Sequence, residues 1–317
     1  MKPIRLVLLC GAFTTCLAAA DEPATRAAAR ARGAAEQPRL ILRLDDIGFC
    51  HGVNMAAKRI LEEGVCSSMS VIVNTPWLDE AVEILKQHPE VSVGVHLTVN
   101  AEWNEYRWGP VLPYSEVPSL VDEFGKFFPS RDAFFANNPK PEEVEKELRA
   151  QIRLALRKGL PISYVDYHMG TIMSTPELQQ VVERLAREFK LGISQYFGEI
   201  YAPNVYRAPP EKKLAEAIAI LEQLNEPKLY LFVLHVGTNT PEMAVLTDRN
   251  PVGLTAMAAH RQAEADLLCS PEFRAALERL HIRLTNYNEL RAAGLVHMQR
   301  PWLADPYRQK PPPAEGR

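Results

Sequence analysis

The chain is poor in cysteine and carries almost no net charge, and each shortage removes a class of function. Its 36 lysines and arginines nearly balance 39 aspartates and glutamates, for a formal net charge of −3. No basic stripe interleaved with aromatics runs through it, so no nucleic acid partner is expected. Of five cysteines, Cys10 and Cys16 fall in an N-terminal apolar stretch. The others, Cys50, Cys66 and Cys269, have no CxxC spacing, which argues against a disulfide framework and against a thiolate metal site. One bridge, Cys50 with Cys66, stays open if the compartment is oxidising. No GxGxxG follows the first strand, which weakens a dinucleotide-binding reading. No membrane span is expected either, because the apolar run Leu6 to Leu17 is too short to cross a bilayer. With Lys2 and Arg5 before it and Ala18-Ala19-Ala20 behind, that run reads as a secretory signal peptide over residues 1–20. Export to the periplasm or the cell exterior follows as an expectation.

What is present is a globular composition, 47% hydrophobic and 24% charged, enough for a large core. The Ala/Arg-rich tract over residues 21–37 has no apolar face and reads as a disordered leader, and residues 300–317 read as a Pro-rich tail. One folded unit is expected over 38–299. Its first strand, Leu40 to Leu44, empties into Asp45-Asp46-Ile47-Gly48. A helix over Val53 to Glu63 stops at Gly64, a strand runs over Met69 to Val73, and a helix over Trp77 to Gln87. The third strand, Val91 to Leu97, puts Ser92, Gly94 and His96 on one face. An irregular insertion, Asn100 to Pro139, is rich in aromatics including Trp103, Tyr106, Trp108, Tyr114, Phe124 and Phe127. These form either a stacking surface for sugar rings or a satellite core.

Further on, Glu142 to Lys158 spaces Val144, Leu148, Ile152 and Leu156 as a buried helical stripe. Strands are expected over Ile162 to Tyr167, Leu191 to Ser194, Lys228 to Leu234 and Ile282 to Thr285, and helices after Thr175-Pro176, over Glu211 to Leu224 and after Ser270-Pro271. About seven strands, most followed by a helix, predict an α/β protein with a parallel sheet, and at this length a closed or nearly closed (β/α) barrel.

The polar residues fall in a pattern. Asp45-Asp46, His96, His168 and His235 each sit at the end of a different strand, and in a parallel barrel such ends open on one face. A lone Asp-Asp pair is ordinarily a helix cap beside a solvated acid, but three histidines at strand ends make convergence the better reading. The remaining histidines, His51, His88, His260, His281 and His297, fall in helices or loops and are given no role. One carboxylate and two imidazoles suit a catalytic divalent metal, Zn, Mg or Mn, with positions left open. The remaining acid and imidazole can then move protons, the minimum needed to hydrolyse an amide or ester. Asp166, two residues before His168, is placed to orient an imidazole from behind.

The order of these segments resembles a known family. It runs Asp45-Asp46-Ile47-Gly48 with Gly52-Val53-Asn54, then Ser67 to Asn74, Gly94-Val95-His96-Leu97-Thr98, Val165-Asp166-Tyr167-His168 and His235-Val236-Gly237. With the closing stretch Leu268 to Leu290, this is similar to the YdjC/ChbG family of carbohydrate deacetylases. The resemblance implies a distorted (β/α) barrel and a divalent metal held by Asp46, His96 and His168. It also implies Asp45 as the base that activates water at the metal, His235 as the general acid, and removal of N-acetyl groups from an acetylated sugar. Two departures stand out: Met169-Gly170-Thr171 occupy places where the family often has further histidines, and the late motif is HVG where HPG is common. Alternative readings are an ester or phosphoester hydrolase on the same site, or a secreted non-catalytic glycan-binding protein using the Trp103 to Phe135 loop.

Overall fold

A computed structural model describes residues 37–251 and 253–294. The expected signal peptide, nearly all of the leader and the Pro-rich tail lie outside the described residues. Strand β1, Arg39–Ile47, is buried along almost its whole length, as expected of a near-continuous apolar run covered on both faces. Leu40, Leu42 and Leu44 point to the helices and join the larger apolar cluster. Ile41 points the other way, to a second cluster with Tyr164, Phe197, Leu229, Leu231, Val233 and Tyr287 inside the curl of the sheet. Each leucine so buried contributes about 1.5–3 kcal/mol of transfer free energy.

The other strands are β2 (Ser68–Val71), β3 (Ser92–Leu97), β4 (Ile162–Tyr167), β5 (Gly192–Ile193), β6 (Ile200–Tyr201), β7 (Leu229–His235) and β8 (Arg283–Leu284). Seven of the eight follow one path, in the order β5-β4-β3-β2-β1-β7-β6, and neighbours along it pair in parallel. The short β8 takes the start of β1, at Arg39 and Leu40, on the edge that β2 reaches only from Arg43 onward. The sheet therefore curls into an open barrel whose outer strands are β5 and β6, and the expected α/β barrel of about seven strands holds. Strand β6 was not anticipated; it is two residues long and shows no apolar alternation.

Ten helices flank the sheet among the described residues: α1 (His51–Glu63), α2 (Leu78–Leu85), α3 (Arg131–Ala136), α4 (Pro141–Arg157), α5 (Pro176–Phe189), α6 (Lys213–Leu221), α7 (Pro241–Ala244), α8 (Met257–Cys269), α9 (Pro271–Arg279) and α10 (Tyr287–Ala292). No helix among the described residues is long and apolar enough to cross a membrane. Thr175 and Ser270 cap α5 and α9 with their hydroxyls, each followed by the proline that starts the helix. In α4 the stripe departs from its expected course. Val144, Leu148 and Ile152 are buried, but Leu156 is 46% exposed and Ala155 takes its place. Four-residue steps gain about 40° each on a helix of 3.6 residues per turn, so a strict spacing of four walks off the buried face.

The insertion resolves mostly into core. Trp103, Trp108, Phe127 and Phe134 are buried, whereas Tyr114 and Phe124 are exposed. Glu147 of α4 fastens it from below by accepting the Val111 and Leu112 N–H groups at 2.9 and 3.1 Å. The Cys50–Cys66 bridge is excluded, because the two residues flank α1, whose 13 residues span about 20 Å; the described cysteines are free thiols.

Candidate metal centre and catalytic site

The site begins with a break in β1. Successive strand residues face opposite ways, so Asp45 and Asp46 would be divided between the two faces of a regular strand. Asp46 instead has φ of 65°, and the register against β2 slips between Leu44 and Ile47. Both carboxylates thereby turn into the barrel. Gly48, at φ of 88°, completes the turn where any Cβ would lie 3.0 Å from the Ile72 carbonyl oxygen. Neither aspartate caps α1: its N-cap residue is Cys50, which makes no side-chain cap.

Around this turn the other strand ends converge. Asp46 Oδ1 lies 3.5 Å from His96 Nε2 and 3.3 Å from His168 Nδ1, and the two imidazole nitrogens are 3.3 Å apart. Three donors bound tetrahedrally at about 2.1 Å stand about 3.4 Å from one another, so the triangle has the size a cation requires. Asp46 Oδ1 is buried and accepts no hydrogen bond, a costly arrangement unless a cation faces it. Asp46, His96 and His168 can therefore hold a metal ion.

Each member is gripped from behind. His96 Nδ1 lies 3.1 Å from Asp166 Oδ1, at ion-pair distance but outside hydrogen-bond alignment, and Asp166 Oδ2 accepts from the Ser70 hydroxyl at 2.8 Å. His168 Nε2 meets Glu102 Oε2 at 2.9 Å. Arg261 donates to Asp46 Oδ2 at 2.6 Å, its guanidinium carbon 5.8 Å from the Phe49 ring centre and 5.6 Å from that of Trp103. Arg43 donates to both oxygens of Asp45, at 2.7 and 2.9 Å, and to the Ser194 hydroxyl at 2.6 Å. Gly94 makes room for this packing, since a Cβ there would come within 2.4 Å of the Tyr164 ring.

The charges show what the cluster lacks. Four buried carboxylates, Asp45, Asp46, Glu102 and Asp166, face two buried guanidiniums, Arg43 and Arg261, leaving two negative charges uncompensated while both imidazoles are neutral. A divalent cation supplies that balance. Protons supply it otherwise: burial alone would lower His168, but Glu102 and Asp46 outweigh it and raise it to about 10. His96 is raised likewise, burial being overcome by Asp166, Asp45 and Asp46. Burial would push Asp46 up, yet Arg261, His168 and His235 hold it well below the usual carboxylate range.

His235 ends β7 directly opposite Asp45 in the register. Its backbone N–H donates to Glu264 Oε2 at 2.6 Å, and its ring stands edge-on to Tyr206 at 5.6 Å. Burial, helped by Arg261, sets its pKa below the ordinary histidine value, with Asp46 pulling the other way. All six expected site residues thus meet in one region. Two that contact the centre were missed, Glu102 and Arg261. Glu102 hides in the irregular insertion, and Arg261 lies on α8, whose sequence MAAHRQAEADLLC shows little apolar periodicity; no sequence signal singled out either.

The sequence model of YdjC-like proteins matches residues 39–279. The chain belongs to the YdjC-like family. Among its relatives, a carbohydrate deacetylase of Brevibacillus brevis is 33% identical over 155 residues, 49% of this chain and 58% of that protein, so this match spans little more than half of the relative. Carbohydrate deacetylase 1 of Listeria innocua serovar 6a is 26% identical over 264 residues, 80% of this chain and 100% of that protein. A crystal structure of a candidate cellobiose-phosphate cleavage protein from Enterococcus faecalis V583 superposes with a TM-score of 0.67 at 24% identity, covering 80% of this chain and 99% of the other. That likeness shows a shared fold.

Proposed function

We propose that this YdjC-like chain is a metal-dependent carbohydrate deacetylase that removes N-acetyl groups from an acetylated sugar or oligosaccharide. The observation that carries the proposal is the donor triangle of Asp46, His96 and His168, beside an aspartate and a histidine left to move protons. The carbohydrate deacetylases among its relatives support the choice of substrate. A divalent cation bound there acts as a Lewis acid on the acyl carbonyl and acidifies water.

Asp45 takes the proton of the attacking water; Arg43 holds both its oxygens and so fixes the direction of that transfer. The water oxygen bonds to the acyl carbon, and the C–N bond breaks. His235 delivers a proton to the departing amine from its imidazolium form; burial disfavours that form, so this step is expected to slow as pH rises. Acetate and a free amino sugar leave. Export through the N-terminal segment belongs to the same proposal, and sequencing the N-terminus of the mature protein from culture fractions checks it.

Acetate release from N-acetylated saccharides by Asp45→Asn, His96→Ala and His235→Ala variants tests the chemistry. Turnover near wild type in the first two would end the proposal. One observation favours a second reading, phosphoester hydrolysis at the same centre: Arg261 keeps Nε and Nη1 buried without an acceptor, donors suited to a phosphate. Phosphate release from sugar phosphates, with no acetate released from N-acetylated sugars, would select it.

A further inference from the structure

We infer that Glu102 is a positioning residue that makes His168 bind the metal through Nδ1, while Asp166 makes His96 bind through Nε2. The inference rests on the metal reading above and deepens it. A neutral imidazole has one N–H and one lone pair. A carboxylate can only accept, so whichever ring nitrogen faces it must carry the hydrogen, and the lone pair is left on the other. In His168 the nitrogen facing a carboxylate is Nε2, 2.9 Å from Glu102 Oε2, and Nδ1 turns to Asp46 and His96. In His96 the assignment is reversed: Nδ1 faces Asp166 and Nε2 faces the triangle. The two imidazoles enter as opposite tautomers, each set by the acid behind it.

The two acids differ in where they come from. Asp166 belongs to β4 and is paired in register with His96 on β3, so the sheet itself supplies it. Glu102 belongs to the insertion, and loops hold it there. Its carbonyl oxygen accepts the Arg249 N–H at 2.8 Å, the Asn104 N–H donates to the Thr247 carbonyl at 2.9 Å, and Trp103 bridges Asp248. Glu102 is 5% exposed. The segment that covers the site is thereby also part of what retains the cation, and the docking of the insertion on residues 247–249 is coupled to metal affinity.

Calorimetric titration of the full chain with Zn2+ tests this with wild type, Glu102→Ala and Glu102→Gln. The expected result is an affinity lowered about 10- to 100-fold by the alanine and partly restored by the glutamine, which keeps an acceptor and the same shape. Nitrogen NMR of the imidazoles in the Zn2+-loaded wild type is expected to show His168 metallated at Nδ1 with a protonated Nε2. An alanine variant that binds within twofold of wild type, or His168 metallated at Nε2, overturns the inference while leaving the metal reading intact. A wild type that takes up no Zn2+ overturns the metal reading, and the inference falls with it.

Discussion

The residues that form the donor triangle and those that grip it come from different parts of the molecule. Asp46, His96 and His168 stand at the ends of β1, β3 and β4, strands locked together by parallel pairing. Two of their three outer partners, Glu102 and Arg261, come from the insertion and from α8. Strand ends are placed by a ladder of backbone hydrogen bonds that tolerates almost any side chain. Loop and helix partners are placed by packing, here around Phe49, whose ring centre lies 5.8 Å from that of Trp103 in a tilted contact and 5.6 Å from that of Trp108 edge-on. The sheet thus sets where the triangle of Asp46, His96 and His168 lies, whereas residues of the insertion and of α8 set the charge and contacts around it.

This division predicts a ranking of effects. Asp46→Ala and His96→Ala remove donors from the triangle and are expected to abolish acetate release, as is dialysis against a chelator, with activity regained on adding Zn2+ or Mn2+. Full turnover in chelated protein would break the contrast at its root. Asp45→Asn keeps the shape but removes the proposed base, with an expected fall in kcat of about 10²–10⁴-fold, measured under saturating substrate. Arg261→Ala removes only an outer partner and is expected to weaken metal binding or activity about 10- to 100-fold. A loss as complete as that of Asp46→Ala would show that sheet and covering segments do not divide the work as described.

Proton competition sharpens the same picture. His168 is held up to about 10 in the metal-free protein by Glu102 and Asp46 acting against burial. Below that pH the imidazole carries a proton that the cation must displace. Apparent metal affinity is therefore expected to rise with pH across the neutral range, about tenfold per unit for each proton released, and titrations in buffers of different protonation enthalpy measure the release. The smallest effects belong to the scaffold away from the centre. Gly94→Ala, which crowds Tyr164, is expected to cost about 1–3 kcal/mol of stability in a thermal melt, and the exposed Leu156→Lys less than about 0.5 kcal/mol.

Much of this was readable along the chain because it depends on short-range pattern. The apolar run ending in Asp45-Asp46, and the histidines closing the runs that became β3, β4 and β7, follow from period-two burial and from the rule that parallel strands end on one face. Leu156 departed from expectation because a helix does not repeat every four residues, and the Cys50–Cys66 pairing, left open by the sequence, is closed by the length of α1, which keeps its two ends apart. The aromatics of the insertion were ambiguous because composition does not distinguish a buried Trp108 from an exposed Phe124.

An α/β barrel and the convergence of Asp45-Asp46, His96, His168 and His235 at its strand ends were legible along the chain alone. That both aspartates of one strand face inward, through the positive φ of Asp46, and that Arg261 and Glu102 reach the same cluster, emerges from the folded chain. The physical reason is that contacts between residues separated by 215 and 66 positions leave no local periodicity. They exist only after the sheet has curled and its covering segments have packed over the open end.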